Sequence, residues 1–101
     1  MATRIVSNAG KFIHDNYSAA VTPASKNAGL DALNEPYLIN FLYIENMDLN
    51  IDIYVSFDGG SKWKTVKAGT FLSISSDRLL SYQVKAASGT PSVEAVYGVE
   101  I

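Results

Sequence analysis

The feature that most constrains this chain is the strict alternation from residue 49 to residue 57, where Leu49, Ile51, Ile53, Val55 and Phe57 are apolar and Asn50, Asp52, Tyr54 and Ser56 fall between them. Successive side chains of an extended strand point to opposite faces, so a two-residue period predicts a half-buried β-strand and conflicts with the 3.6-residue period of a helix. Asp58-Gly59-Gly60 follows, made of residues that accept positive φ, and predicts a tight reversal into a second strand at 62–66. Upstream, 37–44 is apolar on both faces apart from Asn40, the pattern of a central strand covered on both sides. Further strands are predicted at 70–75, 80–87 and 92–101, separated by Ala68-Gly69, by Ser76-Asp77-Arg78 and by Ser88-Gly89-Thr90-Pro91.

Short strands at a spacing of about ten residues, with no helix of useful length, predict an all-β fold: a β-sandwich or jelly-roll-like barrel of about six to eight strands. The expected core is Phe41, Ile51, Ile53, Val55, Phe57, Trp63, Phe71, Leu80, Tyr82, Val84, Val93, Tyr97 and Val99. Residues 37–101 form this sandwich, and residues 1–36, rich in Ala, Ser, Thr and Asn, read as an irregular N-terminal arm with short strands and one helical turn within 27–34. With 101 residues the chain has room for one core and not two. Ile5, Val6, Phe12 and Ile13 are too apolar to stay solvated together, so they are the expected assembly contacts of the arm.

Composition narrows the function classes. A chain that is 48% hydrophobic and 18% charged, with net charge −2, has the material for a core and lacks the cationic excess that phosphate binding needs. Nucleic acid is therefore not an expected partner. Weak self-repulsion and abundant apolar residues favour a homo-oligomer, with a symmetric trimer as the expected form. The absence of cysteine removes disulfides, thiolate metal sites and a cysteine nucleophile together. The first residues lack a secretory apolar segment, and the sequence has no apolar run of the roughly 20 residues a membrane helix needs, so synthesis in a cytoplasm and no membrane partner are expected.

Ser56-Phe57-Asp58-Gly59-Gly60-Ser61-Lys62-Trp63 resembles the Asp-box hairpin of sialidases and related β-propellers, with Lys62 where Thr is usual. The resemblance implies a structural turn built on Asp58, Gly59, Gly60 and Trp63: the carboxylate accepts backbone N–H groups, the glycines take conformations a Cβ would obstruct, and the Trp packs beneath. A propeller needs at least four four-stranded blades, which this length does not supply, and Arg4 and Arg78 are too few for a sialic-acid site. Asp48-Leu49-Asn50-Ile51-Asp52 opens like an EF-hand loop, but Ile53 stands where Gly is required and Gly59 where a bidentate Glu is required.

His14, the sole histidine, has no nucleophile-elbow context and no companion ligands. Glu94 and Glu100 share a strand face about 20 Å apart, too far for a glycosidase pair. Lys62, Lys64 and Lys67 read as protection of a strand edge. No catalytic residue, cofactor site or metal site is therefore assigned, and the chain is read as a non-enzyme.

The order Ile53-Tyr54-Val55-Ser56-Phe57-Asp58-Gly59-Gly60, then Trp63, Ala68-Gly69-Thr70 and Val93-Glu94-Ala95-Val96-Tyr97-Gly98-Val99 resembles small β-rich accessory virion proteins of tailed bacteriophages, over residues 45–101. That resemblance implies a structural role in the virion, as a capsid decoration or cement protein on the major capsid protein, synthesised in the host cytoplasm. The alternative it leaves open is a tail or head-fibre component that binds a receptor or carbohydrate.

Overall fold

The computed structural model describes residues 10–28 and 37–100. Eight strands are found among them: β1 (Gly10–Ser18), β2 (Ala24–Asn27), β3 (Ile39–Asn46), β4 (Ile53–Ser56), β5 (Lys64–Val66), β6 (Phe71–Leu79), β7 (Ser81–Ala86) and β8 (Ser92–Glu100). They form two four-stranded antiparallel sheets, a long one in the order β1-β8-β3-β6 and a short one in the order β2-β7-β4-β5. The pairs β1–β2, β3–β4, β5–β6 and β7–β8 take the same rank in opposite sheets, so most connections cross the sandwich, and among the described residues only β4–β5 is a local hairpin. No backbone ladder closes the sheets into a barrel among the described residues.

The core lies between the sheets. Ile39, Leu42 and Ile44 of β3, Val93, Ala95, Tyr97 and Val99 of β8, Ile53 and Val55 of β4, and Tyr82, Val84 and Ala86 of β7 are all buried. Each fully buried aliphatic side chain contributes about 1.5–3 kcal/mol, whereas the partly exposed Lys26–Asp15 ion pair at 3.6 Å adds about 0–1 kcal/mol. Packing therefore dominates. Residues 10–28 are built into both sheets: β1 pairs with β8 along its whole length, β2 pairs with β7, and Ile13, Tyr17, Ala19 and Ala28 pack into the core. Ile5, Val6 and most of the helical turn expected within 27–34 lie outside the described residues.

Several expectations are corrected. The strand expected over 49–57 is reduced to Ile53–Ser56, because the Asp48 carboxylate accepts the N–H groups of Asn50 at 2.7 Å and Ile51 at 2.9 Å and holds that stretch in a turn. Leu49 is consequently 83% exposed and Ile51 only half-buried, while Phe57 leaves the strand into the hairpin. The turn expected at Ser76-Asp77-Arg78 is instead strand, since β6 runs to Leu79 with a bulge opposite the Ile39–Phe41 stretch. The chain then crosses to the other sheet at Leu80, which that corner leaves exposed. Phe41 and Phe71 point outward because β3 buries Leu42 and Ile44 and β6 packs the partly buried Leu72 and Ile74 against the core instead. Trp63 is half-buried at the hairpin and not in the core.

Asn46 ends β3 as a fully buried polar residue. Its amide donates to the carbonyls of Ile51 at 2.8 Å and Val66 at 3.1 Å, and its side-chain oxygen accepts the N–H of Asp48 at 3.1 Å. One side chain thereby ties the end of the long sheet to the loop before β4 and to β5 of the short sheet.

Candidate assembly surface

The outer face of the long sheet is composed of rows running across its strands. Antiparallel register brings Phe12, Gly98, Phe41 and Ser75 into one row, His14, Val96, Tyr43 and Ser73 into the next, and Asn16, Glu94, Glu45 and Phe71 into the third. Phe12 and Phe41 meet edge to face, with centroids 6.4 Å apart, across Gly98. A Cβ at Gly98 would lie 3.0 Å from that of Phe41 and 3.4 Å from the Phe12 ring, so the bare backbone makes room for the pair. Tyr43 stacks on Phe71 at 5.3 Å, and its hydroxyl donates to Glu45 at 2.6 Å, a bond that raises the phenol above its ordinary pKa. Phe12 is 67% and Phe71 61% exposed, large values for rings already in contact with neighbours.

Of the four residues expected to make assembly contacts, Phe12 alone is placed on this face among the described residues. Ile13 turns inward opposite Tyr97 and packs on its own core, because adjacent strand residues face opposite ways.

The hairpin at Ser56–Trp63 is held by its own polar atoms. The Asp58 carboxylate accepts the Lys62 N–H at 2.9 Å and the Ser56 hydroxyl at 2.8 Å, which lowers its pKa, and the Ser56 oxygen accepts the Gly60 N–H at 2.9 Å. Gly59 and Gly60 have φ of 73° and 94°. A Cβ at Gly60 would also sit 3.1 Å from Gln83 Oε1 and 3.5 Å from the Trp63 ring. Gly60→Val should therefore destabilise the protein by about 1–3 kcal/mol in chemical denaturation. A loss of only a few tenths would show that the turn tolerates a β-branched residue. Lys85 lies 4.3 Å from the Trp63 ring centroid, so an ammonium occupies one face of the indole.

Between the sheets runs a chain of hydroxyls that sequence reasoning missed. Tyr17 and Tyr82 oxygens are 2.8 Å apart, Tyr82 and Tyr97 2.7 Å apart, and Tyr97 donates to Asp15 at 2.8 Å. An ionised carboxylate only accepts and each phenol has one proton, so the direction is settled as Tyr17 to Tyr82 to Tyr97 to Asp15. Lys26 closes the cluster, 3.6 Å from Asp15 and 4.0 Å from the Tyr17 ring centroid. Burial is the main cause that pushes all three phenols far above their ordinary pKa. The alternation Ile13, Asp15, Tyr17 was the one available signal of an inward face, but nothing local pairs it with Tyr82 and Tyr97.

The remaining polar candidates are dispersed. His14 is exposed on the outer face of β1, and Glu94 lies opposite Glu45 on the same face. Asp48 and Asp52 each hold a turn, Asp52 accepting the Ala68 N–H at 2.9 Å. Lys62, Lys64 and Lys67 are exposed around the hairpin and β5. Among the described residues no three His, Asp or Glu side chains come together as a metal site.

No protein-family model matches the chain, and no curated protein matches it. Among solved structures it is similar to HppE in its Co(II) form with Tris buffer, at 10% identity and a TM-score of 0.52 over 88% of this chain and 45% of that one. The Fe(II) form of HppE aligns at 8% identity with a TM-score of 0.51, over 88% and 43% respectively. The chain thus spans less than half the length of HppE, and the likeness shows an arrangement of strands alone. A subunit of Bacillus endospore appendages, described as disulfide-linked pili, aligns at 14% identity over 91% of this chain and 87% of that one, with a TM-score of 0.49.

Proposed function

We propose that this protein is a non-enzymatic structural component of a tailed-phage virion, a capsid decoration or cement protein that works through contacts between subunits. The observation that supports this reading is the outer face of the long sheet, where Phe12 and Phe71 stand largely exposed beside Phe41, Tyr43 and Val96. Apolar rings gathered on one face at a structural cost in solvation mark an interaction surface more than scattered hydrophobics do. The partners are further copies of the chain, in a trimer, and the major capsid protein. The virion itself is supplied by the sequence resemblance.

Light scattering at tens of micromolar should find an oligomer, and a map of particles assembled from the encoding genome should place the chain on the capsid exterior. Absence from the particle would overturn the virion reading. Phe12→Ser and Phe71→Ser should each weaken assembly about tenfold or more, because burying a Phe side chain contributes about 1.5–3 kcal/mol and each 1.4 kcal/mol is tenfold. Circular dichroism should be unchanged, since neither ring belongs to the core. Equal assembly of the double variant and the parent would exclude this face.

A second reading, a tail or head-fibre component that binds carbohydrate, draws on the shallow cleft of about 240 Å³ lined by Phe57, Asp58, Lys62, Trp63 and Lys64. Glycan-array binding lost on Trp63→Ala would favour it over the decoration role.

A further inference from the structure

The two sheets treat their edges differently. The short sheet ends on strands of four and three residues, β2 and β5, too short to template another chain. The long sheet ends on β1 and β6, each nine residues, and among the described residues no strand lies on the outer side of either. The bulge in β6 lies near its C-terminal end, leaving 71–75 in regular register, a stretch with neither Pro nor charge. Proteins blunt such edges when they are to stay apart. Here shortening of the edge strands is confined to one sheet, and the bulge, Asp77 and Arg78 of β6 leave the 71–75 stretch itself unblunted.

The two long edges also match in direction. β1 is antiparallel to β8, β8 to β3, and β3 to β6, so β1 and β6 run oppositely. A second copy placed beside the first in the same orientation brings its β6 against β1 antiparallel, which is the geometry an antiparallel sheet continues in. We propose that the β1 edge of one copy pairs with the β6 edge of the next, so that the long sheet runs on between subunits. This deepens the assembly role proposed above and rests on it. In the in-row register His14 stands beside Ser73 of the next copy, and Phe71 beside Asn16, so the aromatic outer face becomes continuous across the junction. Because the two edges differ, the contact is head to tail: it closes into a ring such as a trimer if the rotation allows, and otherwise extends.

The chain has no cysteine, so cross-links report introduced positions only. Within one copy His14 and Ser73 are three strand spacings apart, about 14 Å, beyond the roughly 7 Å limit between Cα atoms of a disulfide. Oxidised His14→Cys/Ser73→Cys protein should form covalent dimers, trimers and any larger ring or filament, reversed by reductant, whereas each single variant stops at dimers. Gly10→Cys/Ser75→Cys and Asn16→Cys/Ser73→Cys cover registers two residues to either side without removing an aromatic ring, with circular dichroism as the folding control for every variant. An oligomer by light scattering in which no folded pair exceeds the single variants would overturn the edge pairing and leave the aromatic-face reading standing. A monomer at tens of micromolar with no cross-linked species would overturn both.

Discussion

Replacing Asn46 by Ala should destabilise the fold by roughly 2–4 kcal/mol, because one buried and two part-buried hydrogen bonds to the backbone are lost together. The Ile51 and Val66 carbonyls and the Asp48 N–H all bond this one amide, which is itself fully buried, and the Val66 bond is buried with it. Denaturant melts of the variant and parent measure the loss directly. A deficit under about 1 kcal/mol would mean that the loop relaxes and re-satisfies these groups. Asn46→Asp extends the test, since an ionised carboxylate would face two carbonyl oxygens. Its folded-state pKa should be raised, so the deficit should be smallest below about pH 4, the unfolded value, and grow as pH rises through the folded one.

Alkali should unfold the protein cooperatively from about pH 10 upward, with tyrosine ionisation and loss of β-type circular dichroism occurring together. The sign follows from the direction of the shifts: Tyr17, Tyr82 and Tyr97 have folded pKa values raised by burial, so their contribution is complete below the unfolded value near 10 and is lost above it. Each phenol that ionises only in the unfolded chain contributes a slope of about 1.4 kcal/mol per pH unit, hence about 4 kcal/mol per unit for three. That slope is large against the 5–15 kcal/mol typical of a whole domain. Three phenols ionising smoothly near pH 10 with the β signal intact would show that water reaches the relay.

The same relay explains why residues 10–28 are more than an arm. Tyr17 and Asp15 on β1 and Lys26 on β2 close over Tyr82 and Tyr97, so the two N-terminal strands are joined to both sheets by side chains as well as by backbone. An assembly role for this segment is therefore compatible with its place in the fold: one face of β1 supports the core while the other presents Phe12 and His14.

Local pattern by itself determined the all-β class, the reversal at Asp58-Gly59-Gly60 and the inward faces of β4, β7 and β8, because alternation and turn chemistry are properties of a few adjacent residues. It failed wherever both faces of a strand were apolar. In 37–44 either Phe41 and Tyr43 or Leu42 and Ile44 could have faced the core, and only the register of β3 with β8, which sets Leu42 opposite Tyr97 and Phe41 opposite Gly98, decided the question. The outer aromatic face is a product of that choice. Likewise Asp15, Tyr17, Lys26, Tyr82 and Tyr97 are up to 82 residues apart in sequence, and no short-range signal unites them. Sheet order alone brings them within hydrogen-bonding distance, since hydrogen bonds between distant residues are selected by the packed fold and not by the neighbours each residue has along the chain.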